Sequence, residues 1–536
     1  MPRRVRDGQS AARMINKPSA VWVVYRHYQC VEDCTGEAHT DMEFSTILAV
    51  SLILLITFYI ILTWGRNHSK YKLLPPGPTP LPLLGTPKYM NMQAATRHYN
   101  QLSQKYGSVF TVWKLTEPVV VLCGYETVKE ALLNHAEEFS DRPVIPSLHV
   151  PTKGYSFNGH RWRALRRFTL ISLRNYGMGK KTMESRVLEE ATYLTQAVAD
   201  TEGKPFNPSV FLGCAIANIL SSVLFGEHFD YKNHKLHELI GYNARHIQGM
   251  LSKFNMVCNV FPFLLKLSFM QRISFKDRSY LEKFLMKYIE EHKRTLNPEA
   301  PRDLIDQCLM KMKEVEHEVD PDFCDLSLLM ILVSLLSAGL ESTSSTLKFS
   351  LFLIANFPDV QAKIQQEIDA VTLSLRPPSL DDKPQLPYTN AVIHEIQRVQ
   401  DLAPTALFHA MTKDLQFRGY TIPKGTIIIP FLSSVLNDPS QWETPEEFNP
   451  AHFLDKDGQF RNRVAFMPFS TGKRVCVGEN LARMELFLLF SALLQKFSFR
   501  LVPGTERQDI KALQKNKQQI MNHAEVCAVP RVPTNK

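Results

Sequence analysis

A single cysteine stands between two glycines in FSTGKRVCVGENLARMELFLLF, Phe469 to Phe490, at the point where an apolar helical pattern begins. Glycine at Gly472 and Gly478 lets the backbone turn tightly or approach another group closely. A sulfur at Cys476 would meet free backbone N–H groups and the positive end of the helix dipole, which favour a thiolate and hence a metal ligand. Lone cysteines are more often buried and inert. Here, however, five positions fit F-x-x-G-x-R-x-C-x-G, a match expected on the order of once in a few million starts if all residues were equally frequent. A closed cysteine-only zinc site is excluded, because no partner ligands lie at metal spacing. A second stretch, AGLEST, Ala338 to Thr343, sets an acid beside a hydroxyl in mid-helix. That placement is costly unless the pair handles protons.

Three more patterns accompany these. YTNAVIHEIQRVQ holds Glu395 and Arg398 three apart on one helix face, where an exposed pair would contribute only a few tenths of a kcal/mol. GHRWRALRRF puts Trp162 and Arg166 at i, i+4, and FNPAHF runs from Phe448 to Phe453. In this order along the chain the motifs resemble the haem-thiolate cytochromes P-450, and in detail the microsomal, family 2-like branch that oxidises drugs, steroids and fatty acids. The resemblance covers the chain from about Leu73 to its end.

The resemblance implies haem b with Cys476 as axial ligand, a thiolate that pushes electron density onto iron and favours O–O cleavage. It implies that Phe469 packs on the ligand loop and that Arg474 pairs with a haem propionate. Trp162, Arg166 and His409, the last in APTALFHA, are further cofactor contacts. Ala338 and Gly339 would leave room for oxygen and substrate. Glu341 and Ser342 would relay protons to dioxygen, with Thr343 as a second hydroxyl donor. Glu395, Arg398 and His452 would form a buried polar network that stabilises the fold. The family usually has threonine where Ser342 stands; serine keeps the hydroxyl but lacks the methyl that restricts its rotamer. The stretch between Arg142 and Trp162, which roofs the substrate pocket in the relatives, is a few residues shorter here.

These residues need a frame. DLSLLMILVSLLSAGLESTSSTLKFSLFLIANF, Asp325 to Phe357, is apolar on every face in its first half, and Glu341 and Lys348 interrupt it too early for a membrane span, so it should cross the protein core. From about Lys180 to Leu375 the pattern is almost wholly helical. VFTVWKL and PVVVLCG form a hairpin around Glu117 and Pro118, and strands return in FRGYTIPKGTIIIP with Pro423 to Gly425 as the turn. The fold class is mainly α (α+β), a helical body with small β-sheets at its two ends.

From Phe44 to Trp64, FSTILAVSLILLITFYIILTW runs 21 residues without a charge. That suffices to cross a hydrocarbon core of ~30 Å. Arg66, Lys70 and Lys72 follow it, whereas the residues just before it carry acids and no Lys or Arg, which sets the bulk of the chain on the cytosolic side. A cleaved signal peptide is disfavoured by the length of the run and the lack of a small-residue cleavage site. The organisation is thus an N-terminal extension over 1–41, unlike the rest and followed by a natural start at Met42; a transmembrane signal anchor over 42–65; a Pro-rich linker over 66–82; and a catalytic domain over 83–536.

With 44% hydrophobic and 21% charged residues the chain has the balance of a protein with a large core. The formal charge of +9 is spread out rather than gathered in arginine runs with interleaved aromatics, which argues against nucleic acid and for a basic face meeting an acidic protein or membrane. Nine cysteines without a C-x-x-C pair fit a reducing compartment. No flavin or nicotinamide fingerprint is present, so electrons must come from a partner. The resemblance implies NADPH-cytochrome P-450 reductase, with cytochrome b5 as a second donor, at the endoplasmic reticulum membrane. Arg166, Arg167 and Lys473 would flank the docking face. Two rival readings are a haem-thiolate isomerase or dehydratase acting on a peroxide, and a non-catalytic haem- or steroid-binding membrane protein. The Glu341–Ser342 pair argues against both.

Overall fold

The computed structural model describes residues 73–531 apart from 82–83, 90–91, 153–156, 176–180, 318–321 and 374, together with scattered positions between 46 and 58. The chain divides into two compact units, Met1–Lys72 and Leu73–Lys536. In the first, the described positions between 46 and 58 are helical; the rest of the expected span, and the 1–41 extension, lie outside the described residues.

In the second unit the Pro-rich lead-in is not a spacer from Leu73 onward. Thr111 donates its N–H to Pro76 O at 2.9 Å and its hydroxyl to Pro75 O at 2.8 Å, and Thr421 N–H reaches Leu73 O at 3.0 Å. A Cβ at Gly77 would stand 1.9 Å from Thr111 O, so only glycine lets the extended chain lie this close. The body therefore begins about ten residues before the expected boundary at 83, because prolines, which cannot form a helix, still offer carbonyls to a strand.

The expected first hairpin is β1 (Val109–Lys114) with β2 (Glu117–Leu122). The Pro423–Gly425 turn differs from expectation. It joins two sheets, whereas the hairpin turns at Arg418 and Gly419, both with positive φ, between β4 (Leu415–Phe417) and β5 (Tyr420–Ile422). β6 (Ile427–Pro430) then runs parallel to β2 and antiparallel to β3 (His409–Ala410), giving one sheet of order β1-β2-β6-β3. Strands from both ends of the sequence thus share a sheet rather than forming two separate ones. β7 (Phe497–Leu501) and β8 (Val526–Pro530) close a small C-terminal pair.

Among the described residues, eight α-helices and one short 3-10 helix fill the interval from Lys181 to Thr372. The longest, Asp325–Asn356, is apolar nearly all round and is buried at most positions, as a core helix should be. It packs against the Ser209–Leu224, His234–Met250, Ser268–Thr295 and Glu479–Lys496 helices. One face stays open: Ser334, Ala338 and Glu341 are exposed, with Ser342 and Ser345 half-exposed beside them. Spacings of four and three residues put this stripe on one side of the helix.

Candidate active site

The loop Phe469–Gly478 is locked by its own backbone. Cys476 N–H donates to Phe469 O at 3.0 Å, and Val475 N–H to Gly472 O at 3.1 Å. Gly472 has φ +74°, and a Cβ there would lie 2.0 Å from Leu132 O, so no other residue fits. A Cβ at Gly478 would meet nothing within 4 Å. The two glycines therefore differ: one is demanded by the protein, whereas the other faces open space among the described residues. Among the described cysteines Cys476 is the exposed one, the others being buried or half-buried.

Desolvation by the surrounding walls raises the Cys476 thiol above its ordinary value, against the N–H groups of Gly478 and Glu479 and the Arg166 cation, and with the Glu479 carboxylate also raising it. The N–H groups are present, but burial outweighs them, and a bound metal cation would have to displace the proton. Phe469 lies under the Arg483 guanidinium, 5.0 Å from the ring centroid.

Guanidinium groups gather around this loop. Arg474 donates to Ser140 O at 2.6 Å and to Phe157 O and Asn158 Oδ1 at 2.9 Å, and stacks 3.3 Å from the Trp162 ring centroid. Arg166 donates to Val475 O beside the cysteine. Arg142, which the motifs did not flag, donates to Leu407 O and Phe408 O at 2.6 and 2.7 Å. Burial, then repulsion from Arg142 and Arg166 against the pull of Asp141, brings Arg474 down to about 9. Burial and Arg166 bring Arg142 down to about 10.

His409 is buried and bonded from Nδ1 to Phe139 O at 2.6 Å; since a carbonyl only accepts, Nδ1 carries the proton. Burial and Arg142 push the ring down to about 3, so it is neutral. A group of mutually repelling cations is what a dianion would relieve. The residues fit haem: these cations and the His409 ring would offer donors to its two carboxylates, and the Cys476 sulfur would offer a ligand to its metal.

On the core helix the six residues of AGLEST point different ways. Ala338, Glu341 and Ser342 lie on the open face. A Cβ at Gly339 would sit 3.1 Å from both methyls of Leu220, so this glycine serves helix packing, not the groove. Thr343 differs from expectation: it is buried and its hydroxyl acts on Glu485 of the Glu479–Lys496 helix, away from the open face. Burial pushes Glu485 up to about 8 against that hydroxyl, and its Oε1 has no partner among the described residues. Desolvation raises Glu341, with the Ser345 hydroxyl lowering it. Ser344, Thr346 and Ser350 bond back to carbonyls of the preceding turn, whereas the Ser342 hydroxyl makes no such bond among the described residues.

Behind the loop, Arg398 and Glu395 are wholly buried. Arg398 Nε and Nη2 donate to Glu395 at 2.8 and 2.7 Å, Nη1 to Leu436 O and Pro445 O, and Nη2 also to Glu447 O. All five guanidinium protons are used. His452 Nδ1 lies 3.2 Å from both Glu395 oxygens, and Asn449 N–H is 2.8 Å from Oε1. The buried His292–Asp303–Asp306 group has metal-like spacing, but Arg302 takes both Asp306 oxygens at 2.7 and 2.8 Å.

A family model described as Cytochrome P450 matches residues 75–525. The chain belongs to the cytochrome P450 family. It is 40% identical to cytochrome P450 2C23 of Rattus norvegicus over 495 residues, 91% of this chain and 100% of that one. Against cytochrome P450 2B19 of Mus musculus it is 43% identical over 475 residues, covering 88% and 96%. Against cytochrome P450 2B2 of Rattus norvegicus it is 44% identical over 462 residues, covering 85% and 93%. This cytochrome P450 is a family 2-like haem-thiolate monooxygenase that uses dioxygen and a small-molecule substrate.

Proposed function

We propose that Cys476 is the thiolate ligand of this cytochrome P450, that Arg142, Arg166, Arg474 and His409 hold the haem carboxylates, and that Glu341 and Ser342 deliver protons on the oxygen side. The observation that carries this is the crowding of three guanidinium groups around the loop that presents the one exposed cysteine among the described residues. When bound, haem supplies the activation of dioxygen from which one oxygen atom enters an apolar substrate such as a xenobiotic, steroid or fatty acid. The chain's own part is proton handling and positioning. Desolvation keeps a proton on the Glu341 carboxyl to higher pH than usual, and Ser342 Oγ, free of back-bonding, can accept it while donating its own toward the open face.

Glu341→Gln keeps size and hydrogen bonding but removes the exchangeable acid. It should retain the carbon-monoxide band of the reduced enzyme and substrate binding, yet lose product per NADPH by about tenfold or more. Since Glu341 is raised, coupling in the parent should fall as pH climbs through that raised value, and this fall should vanish in the variant. Unchanged product per NADPH would remove Glu341 from the relay.

Membrane and reductase contacts belong to the same proposal. The 44–64 run suits an anchor in the endoplasmic reticulum membrane with the body cytosolic. Support comes from the catalytic unit as well: Leu251, Met256, Val257, Phe261, Phe263, Leu267, Phe269 and Ile273 are exposed, with Lys253, Lys266, Arg272 and Lys276 among them. An apolar patch interspersed with cations suits an anionic lipid surface.

The docking face for NADPH-cytochrome P-450 reductase, or cytochrome b5, lies by the ligand loop. There Arg167 is exposed, whereas Lys473 is paired with Glu137, as is Arg163 at 3.5 Å. Arg167→Glu should therefore slow reduction by the reductase severalfold at low salt, more than Lys473→Glu does. Peroxide-supported turnover should be unaffected. Equal losses in both assays would mean damaged haem binding instead.

A further inference from the structure

Resting on that reading of the oxygen side, the open face of the core helix has a defined far end. Met330 lies one turn before Ser334 on the stripe that continues through Ala338 to Glu341, and there the stripe closes, with Met330 buried. What closes it is polar. Arg278, from the Ser268–Thr295 helix, is 6% exposed, and its Nη2 lies 3.1 Å from the Met330 sulfur, a weak acceptor. Nε is held by Glu282 at 2.7 Å, while Nη1 makes no hydrogen bond among the described residues. The edge of the guanidinium that matches a carboxylate is thus left without a good partner.

The neighbouring helix His234–Met250 supplies two more polar groups where apolar ones belong. Its core-facing stripe reads Leu236, Leu239, Asn243, His246. Asn243 is 1% exposed, and neither its amide nitrogen nor its oxygen has a partner among the described residues. A buried amide with both ends unmet keeps its full desolvation cost uncompensated, which a polar ligand would relieve. His246 is buried beside Arg278, and desolvation together with that cation, against Asp277, brings it down to about 4. It is therefore neutral and keeps one N–H to donate.

We infer that Arg278, with Asn243 and His246, receives the carboxylate of a long-chain amphiphilic substrate whose alkyl end reaches the oxygen-activating site. A guanidinium fork suits a carboxylate better than an ether, ester or hydroxyl, and the Asn243 amide adds a further donor. The geometry sets the length: the eleven residues from Met330 to Glu341 span about 16 Å at a rise near 1.5 Å each. A fatty acid anchored at one end would thus present carbons far from its carboxylate. A neutral compact substrate would leave Asn243 and the Nη1 side of Arg278 unmet.

The test compares laurate with its methyl ester on the holoenzyme by titration calorimetry, which reads binding without turnover. The wild type should prefer the acid by about tenfold or more, the yield of a charge-assisted hydrogen-bond pair. Arg278→Gln should erase the preference by weakening the acid and sparing the ester. Arg278→Lys should keep part of it, and Asn243→Leu should reduce it. Equal affinity for acid and ester in the wild type overturns the inference, as does an unchanged ratio in Arg278→Gln. Should that variant fail to fold, unchanged ratios in both Arg278→Lys and Asn243→Leu overturn it. The carbon-monoxide band of the same preparations reports the iron site separately: a normal band without acid preference defeats the carboxylate receptor alone, whereas loss of a thiolate-type band in the wild type defeats the reading of the ligand loop.

Discussion

Cys476→Ala should abolish the thiolate-type carbon-monoxide band and reduce NADPH-supported oxidation to background, while leaving the helical content of the body in place. No other described cysteine can stand in. Cys123, Cys214, Cys258, Cys308 and Cys527 are buried, Cys324 is half-buried, and none sits in a glycine-bracketed loop at a helix start. Several are also held as thiols: burial pushes Cys123 and Cys214 up to about 12. Cys476 is raised as well, but the Gly478 and Glu479 N–H groups and Arg166 face it, so once the proton leaves the anion is met by donors. Cys476→Ser, which keeps the size but supplies a harder ligand, should bind haem without the thiolate band. Persistence of that band in either variant would sink the assignment of the ligand.

Arg398→Leu should be the most destabilising single change in the body, by about 3–5 kcal/mol, because it strands the wholly buried Glu395 carboxylate. An exposed pair at the same spacing would contribute a few tenths of a kcal/mol. The difference comes from the surroundings: the Leu436, Pro445 and Glu447 carbonyls, which take the remaining guanidinium protons, would also lose their donor. His452 and the Asn449 N–H would keep only part of the carboxylate satisfied. The check is the decay of the carbon-monoxide band at a fixed elevated temperature, with melting of the far-ultraviolet signal alongside. A melting temperature equal to the parent's would overturn the claim that this network holds the fold.

Local chemistry was readable where one segment carries it whole. The Cys476 loop, the all-apolar helix and the Glu395–Arg398 spacing each lie within a few turns, so type and spacing suffice. Direction was harder. Ser342 and Thr343 are adjacent hydroxyls, but successive residues on a helix turn by about 100°, which takes Thr343 off the open face and onto Glu485. The same rotation carries Gly339 to Leu220. Arg142 had no helical or strand pattern around it, and its role arises from Arg474 and Arg166, which are distant in sequence. The second hairpin was misplaced because Pro423 and Gly425 are the stronger turn residues in isolation, whereas Arg418 reaches positive φ with help from Glu130 and Thr127 elsewhere in the chain.

The convergence around the ligand loop also bears on the topology of assembly. The Arg474–Ser140 bond joins residues 334 positions apart, and Arg142 and His409 tie the 139–142 segment to the 407–409 segment. A haem held as proposed by Cys476, Arg474, Arg166, Arg142 and His409 would be a multi-way staple. It would close several large loops at once, much as a set of disulfides would, and would do so where the protein's own charges push those loops apart. Loss of the cofactor would release these closures together while the surrounding helices remain, and the chain must be made at least as far as Cys476 before they can form.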